Sequence, residues 1–341
     1  MAYQLKQHRP TPFDSDSRTS DSFAVKLGAV VLAALTLSLG CGEEFEPYSQ
    51  VTELRVLAVG SDKPSLAPGQ SATLDVLVFE PGGSELTYEW SWCPFTTGSF
   101  TGYECAASEE EINAGLASAG FSLPSFDLGT GPTAQLPYPD PPEVVPLICS
   151  LLENDELPDF FSPPDCARGI DVTVKVVVSG AGQTVTSVRT IELLASGALV
   201  PNNNPSALSL SMIEKDPSTG AEESILIPDD GSTVLDRGRD YTLRLDIAET
   251  SSESFVRVEP GSPPSESSEI LAVSWFVEDG ELENERTGFF DEDSTLQEAG
   301  QNVWKTPSAV EFEASQINVF LVLRDERGGV SWLNRQVQLS P

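Results

Sequence analysis

The chain has 341 residues, 39% of them hydrophobic, with 53 acidic against 19 basic side chains and a formal charge of −34. At about 150 residues per domain, that length holds two domains with cores of their own. A charge of this sign repels phosphate backbones and anionic lipid surfaces, which excludes nucleic acid as a partner.

The N-terminal elements read as export signals. Leu27 to Gly40 (LGAVVLAALTLSLG) is an apolar run preceded by Lys26. It has the length of a signal h-region and falls short of the ~20 residues that span a bilayer. Leu37-Ser38-Leu39-Gly40-Cys41 resembles the bacterial lipobox, with Ser38 standing where Leu is usual. The resemblance implies a signal peptide over 1–40, cleavage before Cys41 and a diacylglycerol and palmitate anchor on that cysteine. Gly42, rather than Asp, at the next position implies sorting to the outer membrane. The polar stretch before Ala24 carries Asp14, Asp16 and Asp21, unusual for an n-region, and suggests a true start at Val25 from a non-AUG codon. Residues 41–50, with Pro47, are expected to be a short lipidated tether.

Past the tether the chain reads as strands between Gly and Pro punctuation. One series is Leu54 to Val59, Ala72 to Phe79, Leu86 to Trp92, Ile170 to Val178 and Val185 to Leu193. A second is Leu208 to Met212, Tyr241 to Ile247, Ile270 to Val277, Ile317 to Leu323 and Trp332 to Leu339. The two match in order. Ala67-Pro68-Gly69-Gln70 corresponds to Asp236-Arg237-Gly238-Arg239, and the strand ending in Trp90 to the one ending in Trp275. The fold class expected is all-β, two tandem β-sandwiches over 51–195 and 206–341, joined by a semi-stiff linker over 196–205 with prolines at 201 and 205. Trp275-Phe276-Val277-Glu278-Asp279-Gly280, Trp304-Lys305-Thr306-Pro307 and Arg324-Asp325-Glu326-Arg327-Gly328-Gly329 are similar to segments of the immunoglobulin-like and PKD-like modules of bacterial surface proteins. Trp275 is then core rather than a ligand platform.

The first copy carries a long insertion over 93–168, which holds all four remaining cysteines. In an exported chain these imply disulfides, and none has the C-x-x-C spacing of zinc or redox sites. Cys93 and Cys166 are expected at one end of the sheet, which favours Cys93–Cys166 with Cys105–Cys149 inside it. Local pairing of Cys93 with Cys105 and Cys149 with Cys166 stays open. Ser108 to Ala119 opens with a capping box, Ser108 and Glu111, and predicts a short helix. Pro137, Pro139, Pro141 and Pro142 predict extended loop.

The only histidine, His8, lies before the expected cleavage point. The mature chain therefore has no Ser-His-Asp, Cys-His or His-ligated zinc chemistry, and no phosphate-cradling glycine motif occurs. Cleavage would also remove Lys6, Arg9, Arg18 and Lys26 with Asp14, Asp16 and Asp21, leaving the chain one charge more negative. Acidic clusters such as Glu109, Glu110 and Glu111, or Asp291, Glu292 and Asp293, match a solvated surface. No EF-hand loop is present, so neither a metal nor a cofactor is assigned. The first functional expectation is a non-catalytic envelope lipoprotein acting as a structural and interaction module, adhesion-type, with an unidentified envelope protein or glycan as partner. The second is a glycan-binding or glycan-processing surface lipoprotein using Phe95, Phe100 and Tyr103 as stacking rings. Calcium-dependent adhesion ranks third.

Overall fold

The computed structural model describes residues 47–152, 166, 168–197, 199–215, 218–257, 263–289, 294–309 and 312–341. The signal peptide, Cys41, most of the tether and the Asp291 cluster lie outside the described residues. Among those described, no helix is long and apolar enough to cross a membrane.

The first sandwich is built from β1 (Arg55–Ser61), β2 (Ser65–Leu66), β3 (Ser71–Phe79), β4 (Thr87–Cys93), β5 (Asp127–Gly129), β6 (Ala134–Pro137), β7 (Gly169–Gly180) and β8 (Gln183–Leu194). One sheet has the order β1-β3-β6 and the other β2-β8-β7-β4-β5. Alternation along β7 explains the division: Val172, Val174, Val176 and Val178 are wholly buried, while Thr173, Lys175 and Val177 face outward and stay half-exposed. Trp90 fills the core and satisfies its indole N–H on the Gly131 carbonyl at 2.9 Å.

The second sandwich repeats the plan with β9 (Ala207–Lys215), β10 (Glu222–Ile227), β11 (Val234–Leu235), β12 (Asp240–Ile247), β13 (Ser254–Arg257), β14 (Ser265–Ser268), β15 (Leu271–Val277), β16 (Glu281–Leu282), β17 (Arg286–Phe289), β18 (Gln301–Lys305), β19 (Gln316–Asp325) and β20 (Val330–Leu339). Its sheets are ordered β10-β9-β12-β18-β16 and β11-β20-β19-β15-β17, with β13-β14 as a separate hairpin. In both sandwiches a two-residue strand pairs parallel with the last strand, β2 with β8 and β11 with β20, and a tight turn leads from it into the next strand. Gly69 and Gly238 occupy that turn at φ 79° and 66°, the left-handed region that glycine enters without a Cβ clash. Trp275 is fully buried and donates to the Thr287 hydroxyl, as core.

The segment 93–168 is two excursions rather than one. Between them the chain re-enters the sandwich, β5 pairing with β4 and β6 with β3. The first excursion carries α1 (Glu109–Ala117), capped by Ser108 and Glu111 in the expected reciprocal box. The second carries α2 (Val144–Leu152), whose Val144, Val145, Ile148 and Cys149 enter the core. Pro141 and Pro142 stand just before α2, where missing N–H groups cost nothing. The nested disulfide pairing is overturned: Cys93 bonds Cys105 and Cys149 bonds Cys166, across 12 and 17 residues. Because β5 and β6 intervene, each bridge stays within one excursion.

The stretch 196–205 is not a spacer. Asn202 is buried, donates its backbone N–H to the Ser65 hydroxyl oxygen at 2.9 Å and its side-chain amide to the Asp325 carboxylate at 3.2 Å. Asn204 donates to the Ser61 carbonyl at 2.6 Å and accepts from the Val330 N–H at 2.9 Å. Leu57, Ala58, Leu77 and Phe79 from β1 and β3 pack on Phe276, Phe320, Val322 and Val330 of the second sandwich as a third apolar cluster. Phe79 meets Phe320 edge-on at 5.8 Å between centroids. Arg189 crosses the same junction, donating to the carbonyls of Val59 and Gly328. Burial pushes its guanidinium down to about 10. Pro47–Pro341 is thereby one compact unit.

Candidate functional site

The outer face of the β2-β8-β7-β4-β5 sheet is left open at its β4-β5-β7 side, and the first excursion folds over it. Thr96 bridges to Cys105, Thr97 N–H reaches the Glu104 carbonyl at 2.9 Å, and the Cys93–Cys105 disulfide ties this loop to the end of β4. The result is a groove of about 450 Å³, within the range of small-molecule sites. Its floor is the outward residues of three paired strands, with Ser91 opposite both Asp127 and Lys175, and Cys93 opposite Thr173. Glu89, the next outward residue of β4, extends the floor, and Tyr103 lines the groove from the loop. Tyr103 has φ 57°, a region bulky residues rarely enter, and its N–H is held by the Gly98 carbonyl at 3.0 Å. A side chain kept in that geometry two residues from a disulfide is a position the surrounding structure over-determines.

The structure separates the three aromatic residues singled out from the sequence. Tyr103 lines the groove. Phe95 packs against the first core and belongs to the loop's own support. Phe100 is fully exposed at the loop tip, in the 3₁₀ turn Ser99–Thr101.

A larger groove, about 710 Å³, lies at the junction of the sandwiches and is lined by Arg168, Arg257, Arg327, Phe255, Glu192 and Glu326, among others. Its guanidiniums are already engaged. Arg168 forks onto Glu192, Arg257 pairs with Glu326 at 2.6 Å, and Arg327 reaches Glu253 at 2.8 Å and Glu269. The Arg257 and Arg327 pairs fasten the β13-β14 hairpin to the β19–β20 turn. Among the described residues, no three His, Cys, Asp or Glu side chains converge to hold a metal.

Three functional elements were missed from the sequence. Strands β5 and β6 are three and four residues long, below the length at which alternation is readable. Helix α2 carried a signal, apolar residues at 144, 145, 148 and 149, hidden by the proline run before it. The third is a strap: Val51 N–H binds the Val277 carbonyl at 2.9 Å, and Val277 N–H binds the Ser49 carbonyl at 2.9 Å. Tyr48 packs on Phe276 at 5.7 Å with Arg55 stacked over its ring at 3.9 Å. Residues 47–50, expected as part of the tether, are therefore docked on the second sandwich together with Val51.

Fold and strand order define an all-β protein of two tandem immunoglobulin-like sandwiches. The N-terminal Ig1-2 module of the Drosophila receptor protein tyrosine phosphatase DLAR is similar, at 9% identity over 85% of this chain and 100% of its own, TM-score 0.23. Three N-terminal domains of the bacteriophage RB49 outer capsid protein Hoc give 12% identity, 84% and 99% coverage and a TM-score of 0.20. SGBP-B of the Bacteroides ovatus mixed-linkage glucan utilization locus, in complex with a mixed-linkage heptasaccharide, gives 8%, 85%, 71% and 0.18. These likenesses are of fold alone. No family model and no curated protein matches the sequence.

Proposed function

We propose that this chain is an exported, non-catalytic envelope lipoprotein, held on the outer membrane by lipid on Cys41, that presents its disulfide-closed loops to a partner. The lipobox-like run before Cys41 supports the anchor, and the observation that carries the orientation is the placement of the ends. Arg55 lies opposite Phe79, Thr87 opposite Ser179, and Gln183 accepts from the Leu54 N–H, so the strap, the start of β4 and the β7–β8 turn share one end. Ser61, Cys93 and Gly169 stand at the other, as does Asp325, through its bond to Asn202. Cys41 is six residues before Pro47, a reach of at most about 22 Å. A lipid there tethers the strap end and puts the Cys93–Cys105 bridge farther from the bilayer by the length of β4, about 20 Å.

Labelling with a palmitate analogue, followed by membrane fractionation, tests the anchor: label in the wild-type protein and none in Cys41→Ser, which moves to the soluble fraction. An unlabelled wild type sinks the anchor. In vesicles, a fluorophore at Ala181 should transfer energy to a headgroup acceptor far more efficiently than one at Phe100; the reverse order sinks the orientation. A second reading, glycan binding at the membrane-distal face, is favoured by the mixed polar and aromatic lining of the Tyr103 groove.

A further inference from the structure

We propose that the groove under the Cys93–Cys105 loop binds a neutral oligosaccharide, with Tyr103 as the stacking ring and Glu89, Asp127 and Lys175 as partners for its hydroxyls. The inference rests on the reading of this face as the contact surface and names what it contacts.

The first support is the state of the charges in the groove. Lys63 and Lys305 sit on Asp62 and Glu281. The Lys175 ammonium, although in a chain with 53 carboxylates, has no ion pair among the described residues, nor does the Glu89 side chain. Asp127 spends one oxygen on the Gly129 N–H at 2.8 Å. Charges of both signs thus line one groove without neutralising each other. A hydroxyl-rich ligand suits such a surface, because one O–H donates to a carboxylate while a neighbouring oxygen accepts from the ammonium.

The same set rejects the alternatives. A polyanion meets Glu89, Asp127 and the field of the whole chain. A free cation meets the Lys175 ammonium on the floor. A protein partner needs about 800 Å² of surface on each side, whereas this is a concave slot with an overhanging loop. Ser91, Thr96 and Thr173 add uncharged hydroxyls to the lining, and the Tyr103 ring supplies the apolar face on which the C–H side of a pyranose lies.

Isothermal titration of the disulfide-intact protein against soluble neutral oligosaccharides of the gluco-, xylo-, manno- and N-acetylglucosamine series tests this. Saturable binding by at least one series is expected, weakened about tenfold or more by Tyr103→Ala and by Lys175→Met. The matching uronic-acid oligosaccharide should bind about tenfold more weakly than the neutral one. Phe100→Ala, outside the groove, should bind as wild type. Unchanged thermal melting shows that each variant is folded. The proposal falls if no neutral series binds, if binding survives both groove variants, or if the uronic-acid ligand binds as well as the neutral one. Palmitate labelling of Cys41 is read separately, so loss of the anchor and loss of the ligand are distinguishable.

Discussion

The two sandwiches run the same strand order and differ in what they hang between equivalent strands. Between β4 and β7 the first one sends out two excursions, each with a disulfide of its own and each feeding apolar side chains such as Leu116 and Ile148 back into the core. Between β15 and β19 the second keeps short connections, β16 and α3 (Leu296–Ala299). Its surplus goes into the β13-β14 hairpin, pinned by ion pairs at Arg257 and Arg327. The first sandwich therefore owns a groove with uncommitted polar groups, whereas the second owns a junction whose charges are spent on holding the molecule together. In the first sandwich the added chain makes a groove by folding over strand residues, Glu89 and Lys175, whose charges no ion pair among the described residues spends.

The strongest way to break that comparison is to cut the sandwiches apart. Phe320 is 3% exposed and packs on Phe79 across the junction. Phe320→Ala should cost about 3–5 kcal/mol, the usual range for a buried Phe. The cost should fall on the junction: calorimetry should resolve two transitions where the wild type shows one. A single transition shifted as a whole would mean that the sandwiches fold as one unit without this cluster.

Next in size are the bridges. Cys149 is wholly buried against the first core, whereas Cys93–Cys105 closes a surface loop. Chain entropy alone predicts about 3 kcal/mol for either loop. Removing Cys149–Cys166 with serines also places hydroxyls in an apolar site. The Cys149→Ser/Cys166→Ser pair should therefore melt below Cys93→Ser/Cys105→Ser, and only the latter should lose groove binding. Equal melting temperatures would place α2 outside the cooperative core.

What the sequence disclosed follows the same division. Ten long strands, the matched core tryptophans Trp90 and Trp275 and the α1 cap were legible, because each is a local pattern: alternation, a glycine turn or a Ser-x-x-Glu spacing. The junction left a trace in β19, where Val319-Phe320-Leu321-Val322-Leu323 is apolar on both faces, the mark of a strand covered on both sides. The strap left none, since Val51 meets Val277 through backbone groups that carry no sequence signal. Disulfide partners were open for a related reason: whether β5 and β6 return to the sheets decides the pairing, and those strands are too short to read. Of the groove, Tyr103 was legible as an aromatic in a stapled loop. Lys175 and Glu89 read only as outward residues of core strands.

A smaller effect tests α1 alone. Ser108→Ala removes the hydroxyl that accepts the Glu111 N–H at 3.2 Å, a cap worth about 1 kcal/mol. It should loosen the first excursion while leaving the second sandwich untouched, visible as faster amide exchange over 109–117 only.

Acidification separates the regions by sign rather than size. Hydrogen bonds from the Ser108 backbone N–H and hydroxyl hold Glu111 below the usual carboxylate range. Its contribution is present above the unfolded pKa and is lost as pH falls through the folded one. At the junction, burial raises Glu269, although the Glu253 N–H and Arg327 pull back, and burial raises Asp325 against the Gly329 N–H and Asn202. These groups take up protons in the folded state before they would in the unfolded chain, so each adds stability as pH falls from neutral toward about 4. Exchange protection measured from pH 7 to 4 and corrected for intrinsic rates should thus fall in α1 while it holds or rises at 325–329. A parallel loss in both regions would mean that the junction carboxylates are stabilised as ions, and that Arg327 outweighs their burial.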